Sequence, residues 1–251
     1  MIIVKTQIEI EKMRRAGEKL ARLLDELIPS MIKEGNTGDK LEEFCLKYIE
    51  NSGGVPTFKG YNGYPYAINL SINEEVIHGF PLKSKIFKSG DIISVDCGIT
   101  LDGYIADSAR TYYVGDLTQR EKELIKVTEE SLYIGIEKAI KDNKIGDISN
   151  AIQTHVEGYG FSIIRDFVGH GVGRKLHESP QIPNYGFSGR GQKIRQNMTF
   201  AIEPMVSMGD YELEILEDGW TAVTVDKSKC AHFEHTVLIT ENGPEILTKL
   251  K

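Results

Sequence analysis

The sequence predicts a mixed α/β domain assembled from two related halves, each running helix, helix, strands. Three observations carry this expectation. Thr6-Gln7-Ile8-Glu9 and Thr118-Gln119-Arg120-Glu121 both have the form of a capping box ahead of an apolar run at helical spacing. Behind each comes a second helical segment and then a series of short, apolar, strand-like runs. No Pro/Gly/Ser-rich linker divides the halves, roughly 1–115 and 116–251, so one domain over residues 1–251 is expected.

The elements follow in order. After the first capping box, Ile8, Ala16, Leu20, Leu23, Leu24 and Leu27 fall at helical spacing until Pro29 interrupts. A second helix is expected from near Thr37, burying Leu41, Phe44, Cys45, Tyr48 and Ile49 and ending at Gly53-Gly54. Strand-like segments dominate from there through Val114. The second half opens with a helix carrying Leu124, Ile125, Leu132 and Ile136, and a shorter one follows from about Asp147. Strand-like runs then occupy Ser162 to Val168, Thr199 to Val206, Glu212 to Leu216, Trp220 to Val225 and Phe233 to Thr240.

Composition narrows the function classes. With 251 residues, 40% hydrophobic and 27% charged, the chain can bury a substantial core, and its mean hydropathy of -0.26 fits a globular protein. The apolar run Met1 to Val4 is too short for a signal-peptide core, and no stretch approaches the ~20 apolar residues of a spanning helix. Cys45, Cys97 and Cys230 are far apart without CxxC spacing, which argues against a disulfide framework or a thiolate zinc site. A cytoplasmic location is therefore expected. A net charge of -7 gives no general attraction to nucleic acid or anionic lipid, so neither is expected as a direct partner.

The stretch from Asp91 to Asp107 carries the most chemistry. Asp102-Gly103 between two strand-like runs is a strong two-residue hairpin signal. With that turn, position 101 faces 104 and the ladder sets Gly98 opposite Asp107. Asp96 then lies on the same face, diagonal to Asp107, with Cβ atoms roughly 7 Å apart. The glycine opposite Asp107 leaves space in front of the pair, which metal ions would fill. Ile92, Ile93 and Val95 indicate a largely buried sheet, where two facing carboxylates repel unless cations compensate. A solvated acidic hairpin is the plainer alternative, and the pair alone leaves both readings open.

Three later sites bear on that choice. Gly169-His170-Gly171-Val172-Gly173 sets a histidine at the end of an apolar strand, between glycines that permit close approach. Phe200-Ala201-Ile202-Glu203-Pro204 and His232-Phe233-Glu234-His235-Thr236 each place a carboxylate on a further apolar strand, alternation aiming Glu234 away from Phe233 and His235. Singly, His170 reads as a hydrogen-bonded core histidine and the two glutamates as ion-pair members. Together, four carboxylates and one imidazole suit two hard or borderline divalent cations. By alternation Cys97 faces away from that site, and Cys45 fits the buried stripe of its helix. Nucleotide binding has no support, since Gly186 to Lys193 lacks GK[ST] and Gly169 to Gly173 is not GxGxxG; HExxH is also absent.

The same segments carry a family resemblance. Asp96 with Asp107 eleven residues later, then Gly-His-Gly, Glu203-Pro204 and Phe-Glu-His-Thr, closely resemble the type I methionine aminopeptidases. The likeness extends over nearly the whole chain, including Asn73-Glu74-Glu75-Val76-Ile77-His78-Gly79 and Leu176-His177-Glu178-Ser179-Pro180. It implies the pita-bread fold, a pseudo-two-fold antiparallel sheet flanked by helices. It further implies that Asp96 chelates one divalent ion, that Asp107 and Glu234 bridge two, and that His170 and Glu203 complete the second. The ions would be Co, Mn, Fe(II), Zn or Ni, and backbone carbonyls near Asn73, Glu75 and Cys230 would hold a monovalent Na or K.

The implied reaction is removal of the N-terminal methionine from nascent proteins and peptides with a small second residue. A hydroxide held between the ions would attack the first peptide bond. By the same resemblance Glu203 shuttles the proton, His78 contacts the scissile amide or leaving amine, and His177 stabilises the oxyanion. Tyr61, Tyr64, Trp220 and His78 would wall the methionine pocket, aromatic faces suiting a flexible thioether. The chain departs from a common type I pattern at Phe58 and Asn69, where some relatives have cysteines, and at Leu176, where some have phenylalanine. Three rivals are disfavoured. X-Pro aminopeptidases and dipeptidases usually carry an extra N-terminal domain, whereas here the first helix leads straight into the pita-bread region. Type II enzymes carry an insertion for which the gaps His170 to Glu203 and Glu203 to Glu234 leave little room. A non-catalytic binding module would have lost ligands. A monomer is expected, with ribosome docking left open.

Overall fold

The structure, a computed structural model, describes residues 3–250, so Met1 and Ile2 of the N-terminal apolar run lie outside it. Along the chain run α1 (Gln7–Ala21), α2 (Gly38–Asn51), β1 (Val55–Pro56), β2 (Ile68–Ile72), β3 (Glu75–Ile77), β4 (Ile92–Leu101) and β5 (Tyr104–Tyr113). They are followed by α3 (Gln119–Lys138), α4 (Ile145–Gly158), β6 (Ser162–Ile163), β7 (Gly169–Gly171), β8 (Glu178–Ile182), β9 (Thr199–Ile202) and β10 (Met205–Ser207). The chain closes with β11 (Leu213–Ile215), β12 (Ala222–Thr224), β13 (Cys230–His232), β14 (His235–Thr240) and β15 (Gly243–Ile246).

Both capping boxes form. The Glu9 carboxylate accepts the Thr6 N–H at 2.8 Å and Glu121 accepts that of Thr118 at 2.7 Å, while each threonine hydroxyl accepts the N–H of its glutamate. The cap fixes the phase of α1 so that its inward stripe is Ile10, Met13, Ala16, Gly17 and Leu20. Ile8, expected on that stripe, falls on the solvent side and is 73% exposed. Beyond Ala21 the helix widens into a π-helical segment, Arg22–Leu27, and then a 3₁₀ turn, Ile28–Ser30. Leu23, Leu24 and Ile28 thereby stay buried, while Leu27 is only half-buried. In α2, Leu41, Cys45 and Ile49 are buried as expected, and Gly53 follows the helix at φ 79°.

Among the described residues all strand pairs are antiparallel and form four small sheets. Strand β4 pairs with β1, β2 and β5; β10 lies between β13 and β6; β12 lies between β11 and β3; and a five-stranded sheet runs β15-β14-β9-β7-β8. Helices cover the apolar faces. In the first half Leu20, Leu24, Leu41, Cys45 and Ile49 pack on Ile93, Val95, Cys97 and Ile99 of β4. In the second, Leu124, Leu132, Ile148 and Ile152 pack on Phe200, Ile202, Val237 and Ile239. Each of these leucines, isoleucines, valines and phenylalanines contributes about 1.5–3 kcal/mol by leaving water. A third cluster joins Ile10 and Met13 to Val172, Leu238 and Leu247.

The long second-half strands expected from sequence are interrupted. Thr199 to Val206 breaks at Glu203-Pro204, and the run expected from Phe233 to Thr240 begins only at His235, a break at Phe233-Glu234 parting it from β13. The two breaks face each other, because Ile202 pairs with His235 on one side and Met205 with His232 on the other. At this shared bend the strand pair leaves the five-stranded sheet and enters the β10-β13 sheet. Proline has no N–H to continue a ladder, which explains why the bend falls there. The Ser162 to Val168 run is extended only at Ser162–Ile163.

Candidate active site

The hairpin places the first two carboxylates. Asp102 and Gly103 take φ of 51° and 78°, the paired positive values of a tight hairpin turn, and the ladder sets Leu101 against Tyr104 and Gly98 against Asp107. Asp96 pairs with Ala109, so it shares a face with Asp107 as expected. The space over Gly98 is not open, however. A Cβ there would lie 2.8 Å from Thr57 Cβ and 3.0 Å from Phe58 Cε1, because the chain leaving β1 crosses the glycine and its Thr57 N–H bonds the Gly98 carbonyl. The glycine admits a wall of the pocket rather than the ions.

The other ligand candidates arrive on the second half. Glu203 and Glu234 occupy the two facing bends, and β5 runs beside them: the Glu234 N–H bonds the Ala109 carbonyl and the Asp107 N–H bonds Thr236 Oγ1. Arg110 secures this seam from behind, donating to the carbonyls of Glu234, Ala109 and Thr248 and to Asp25. His170 lies on β7, whose flanking glycines admit the Ala201 and Ser179 carbonyls at distances no Cβ would permit. Its Nε2 is 3.4 Å from Glu203 Oε1 and 3.9 Å from Asp107 Oδ2. Nδ1 sits 2.9 Å from the Gly171 carbonyl, so that nitrogen carries the proton and Nε2 presents its lone pair to the acids.

Asp107, His170 and Glu234 each bring one ligand atom within 4.8 Å of the others, a spacing that suits a shared cation. All five candidates are buried. Asp96 Oδ1, Asp107 Oδ1 and Glu234 Oε1 are enclosed without a hydrogen-bond partner. Burial raises the Asp96 carboxyl to about 7. Burial, and then repulsion from the neighbouring acids, holds Asp107, Glu203 and Glu234 well above the ordinary range. Burial also lowers His170 to about 3. Four crowded acids, three of them with orphaned oxygens, facing a neutral imidazole, fit divalent cations, which would satisfy those oxygens and restore the charged carboxylates.

The remaining candidates line the same cavity, of about 290 Å³. His78, at φ 60° just after β3, has its ring 5.2 Å from Phe167 and 6.1 Å from Trp220, and burial lowers its pKa to about 4. The His177 ring stands edge-on to His170 at 4.4 Å, and its Nδ1 is 2.8 Å from Tyr61 Oη. Tyr64 meets Trp220 edge-to-face at 5.1 Å, but its hydroxyl is committed to the Ile68 and Gly79 carbonyls, so only its ring is offered to a ligand. Phe58, Asn69 and Leu176 also line the cavity. Sequence reasoning assigned no role to Phe167 or His232. Phe167 lies three residues before His170, and His232 Nε2 is buried without a partner 3.9 Å from Glu203 Oε2. The placement of His232 two residues before Glu234 was the available signal. Cys45 and Cys97 lie in the apolar cluster of the first half, away from the acids.

Comparison with known proteins identifies the family. The family model described as metallopeptidase family M24 matches residues 11–241. The methionine aminopeptidase of Clostridium perfringens is 49% identical over 251 residues, covering 100% of both chains. Methionine aminopeptidase 1 of Bacillus subtilis is 48% identical over 250 residues, again covering 100% of each. The crystal structure of the Thermotoga maritima methionine aminopeptidase superposes with a TM-score of 0.98 at 54% identity, covering 100% of both chains. The prolidase of Pyrococcus furiosus shares the fold, with a TM-score of 0.78 at 23% identity over 99% of this chain and 66% of its own. The architecture is the pita-bread fold, and the chain belongs to metallopeptidase family M24, among its methionine aminopeptidases.

Proposed function

We propose that this chain removes the N-terminal methionine of nascent polypeptides, preferring a small second residue, with Asp96, Asp107, His170, Glu203 and Glu234 holding two divalent ions. One observation carries the reading: three enclosed carboxylate oxygens without partners sit in an aromatic-walled cavity beside an imidazole whose Nε2 lone pair is free. Divalent ions bound there would polarise the scissile carbonyl and acidify a water nucleophile. Glu203, 3.4 Å from His170 Nε2, is placed to hold the proton released and return it to the leaving amine. His177 stays neutral because burial lowers its pKa, and with Tyr61 donating to Nδ1 its Nε2–H becomes a donor for the developing oxyanion. His78, neutral for the same reason, faces the departing nitrogen. Tyr61, Tyr64, Trp220 and His78, which line the cavity together with Phe58, would enclose the methionine side chain.

The ions we favour are Co, Mn, Fe(II), Zn or Ni, with Na or K at the carbonyls of Asn73, Glu75 and Cys230. The Cys230 N–H bonds the Asn73 carbonyl at 2.8 Å, which supports the closeness such a site needs. We read the chain as one domain of two related halves, supported by matched capping boxes and by paired carboxylates contributed from each half. It acts as a monomer in the cytoplasm, where nascent chains and ribosomes are met; no helix among the described residues is long and apolar enough to cross a membrane. A panel of peptides varied at the first two positions, assayed with several metals, tests the reading. Release of methionine from Met-Ala-Ser but little from peptides with a bulky second residue is expected. Cleavage of Xaa-Pro peptides with N-terminal methionine left intact would overturn it.

A further inference from the structure

Asn69 reads from sequence as a change in the pocket wall, but its neighbours give it a different task. In the register of β2 with β4, Asn69 stands directly opposite Asp96, and its Nδ2 donates to Asp96 Oδ2 at 2.8 Å in a buried setting. The other residues around Asp96 on this face offer little. Its partner on β5 is Ala109, which has no polar side chain. Two residues along β4 is Gly98, which has none at all, and two residues back is Ser94, whose hydroxyl is bonded to Thr111 Oγ1 at 2.9 Å. The even residues of β2 cannot help, since Ile68 and Leu70 point into the apolar cluster under the sheet. An ionised carboxylate only accepts, so the amide of Asn69 must turn its nitrogen to Asp96. That bond fixes the plane of the carboxylate, and Oδ1 is enclosed without a partner.

We propose that Asn69 is a positioning residue for metal uptake: its amide holds the Asp96 carboxylate in the orientation from which it chelates its ion. The inference rests on Asp96 being a ligand. It makes the two ion positions unequal, because the oriented Asp96 serves one ion only, whereas Asp107 and Glu234 would bridge both. Removing a group that orients a ligand typically lowers metal affinity about 10- to 100-fold, and here the loss should fall on one ion only.

The test uses Asn69→Leu, which keeps the volume and lacks the N–H, and Asn69→Asp, which keeps the shape and replaces the donor with a repelling charge. Metal-free full-length protein is titrated with Co(II), reading two affinities by calorimetry and ligand geometry by the visible absorption of cobalt. Asn69→Leu should weaken one of the two affinities about 10- to 100-fold, change the absorption of that ion, and leave the other affinity and the metal-free Tm near wild type. Asn69→Asp should shift the same ion. Two unchanged affinities in Asn69→Leu, or a parallel loss of both with a fall in Tm, would overturn the proposal while leaving the metal site standing. A wild-type protein that takes up no cobalt would overturn both.

Discussion

Replacing Asp107 by Asn should make the metal-free protein more stable while abolishing its activity. Asp107 and Glu234 bring ligand atoms within 4.8 Å, and neither orphaned oxygen has a partner to lose. At that separation two unit charges repel by about 3.5 kcal/mol with an effective dielectric constant of about 20. Proton uptake relieves part of this, so the substitution should return about 1 to 3 kcal/mol at pH 8 to 9, a rise in Tm of roughly 3 to 10 °C for a chain of this size. Saturating Mn(II) should stabilise wild type strongly and the variant much less, because binding to the folded state alone raises stability by mass action. Calorimetric scans of chelator-treated protein, with and without Mn(II), measure all four values. A lower Tm for the metal-free variant, together with no metal effect on wild type, would refute the claim that these acids are crowded for a cation.

The same crowding sets a pH dependence. The folded acids have raised pKa values, so their stabilising contribution is fully present below the ordinary carboxylate range and is lost as pH climbs through about 7 for Asp96 and higher for the others. Above pH ~7 the buried histidines, whose pKa values are lowered, are neutral whether folded or unfolded and drop out. The Tm of metal-free protein should therefore fall from pH 7 to 9, and a flat profile would contradict it. His177→Ala should retain both metal affinities and lower kcat about 10²- to 10³-fold, the usual effect of losing one oxyanion donor; near-wild-type turnover would remove that role. Lys5→Met should cost about 3 kcal/mol, because it strands Glu178, whose carboxylate bonds Lys5 Nζ at 2.6 Å in a buried pair. Glu178 also accepts the Arg174 and Lys175 N–H groups and is next to His177, so kcat should fall with Tm; a drop in Tm with kcat intact would separate the brace from the chemistry.

What was legible in the sequence was local. The Asp102-Gly103 turn and the two-residue period of a strand suffice to place Asp96 and Asp107 on one face, and a capping box needs four residues. What was not legible depends on partners distant in sequence. The bend at Glu203-Pro204 is matched by one at Phe233-Glu234, thirty residues on, and neither run shows by its composition where its partner departs. The wall over Gly98 comes from Thr57 and Phe58, about forty residues earlier. Strand β8 contains Pro180, which speaks against a strand until the chain is seen to lie at the sheet edge, where a missing N–H costs little. Ile8 misled because the apolar stripe of α1 begins only at Ile10. The five residues proposed to bind ions stood out as a set only through the family resemblance, since each alone had an ordinary structural explanation.

The most direct test of a metal-dependent aminopeptidase built on these five residues is methionine release from a Met-Ala-Ser peptide by chelator-treated protein, followed while Mn(II) is added and bound metal is counted. The account predicts no release without metal, release that grows as ions bind up to two per chain, and none at any metal level for Glu234→Gln with its fold retained. Methionine release at full rate from metal-free protein, or from Glu234→Gln, would contradict it.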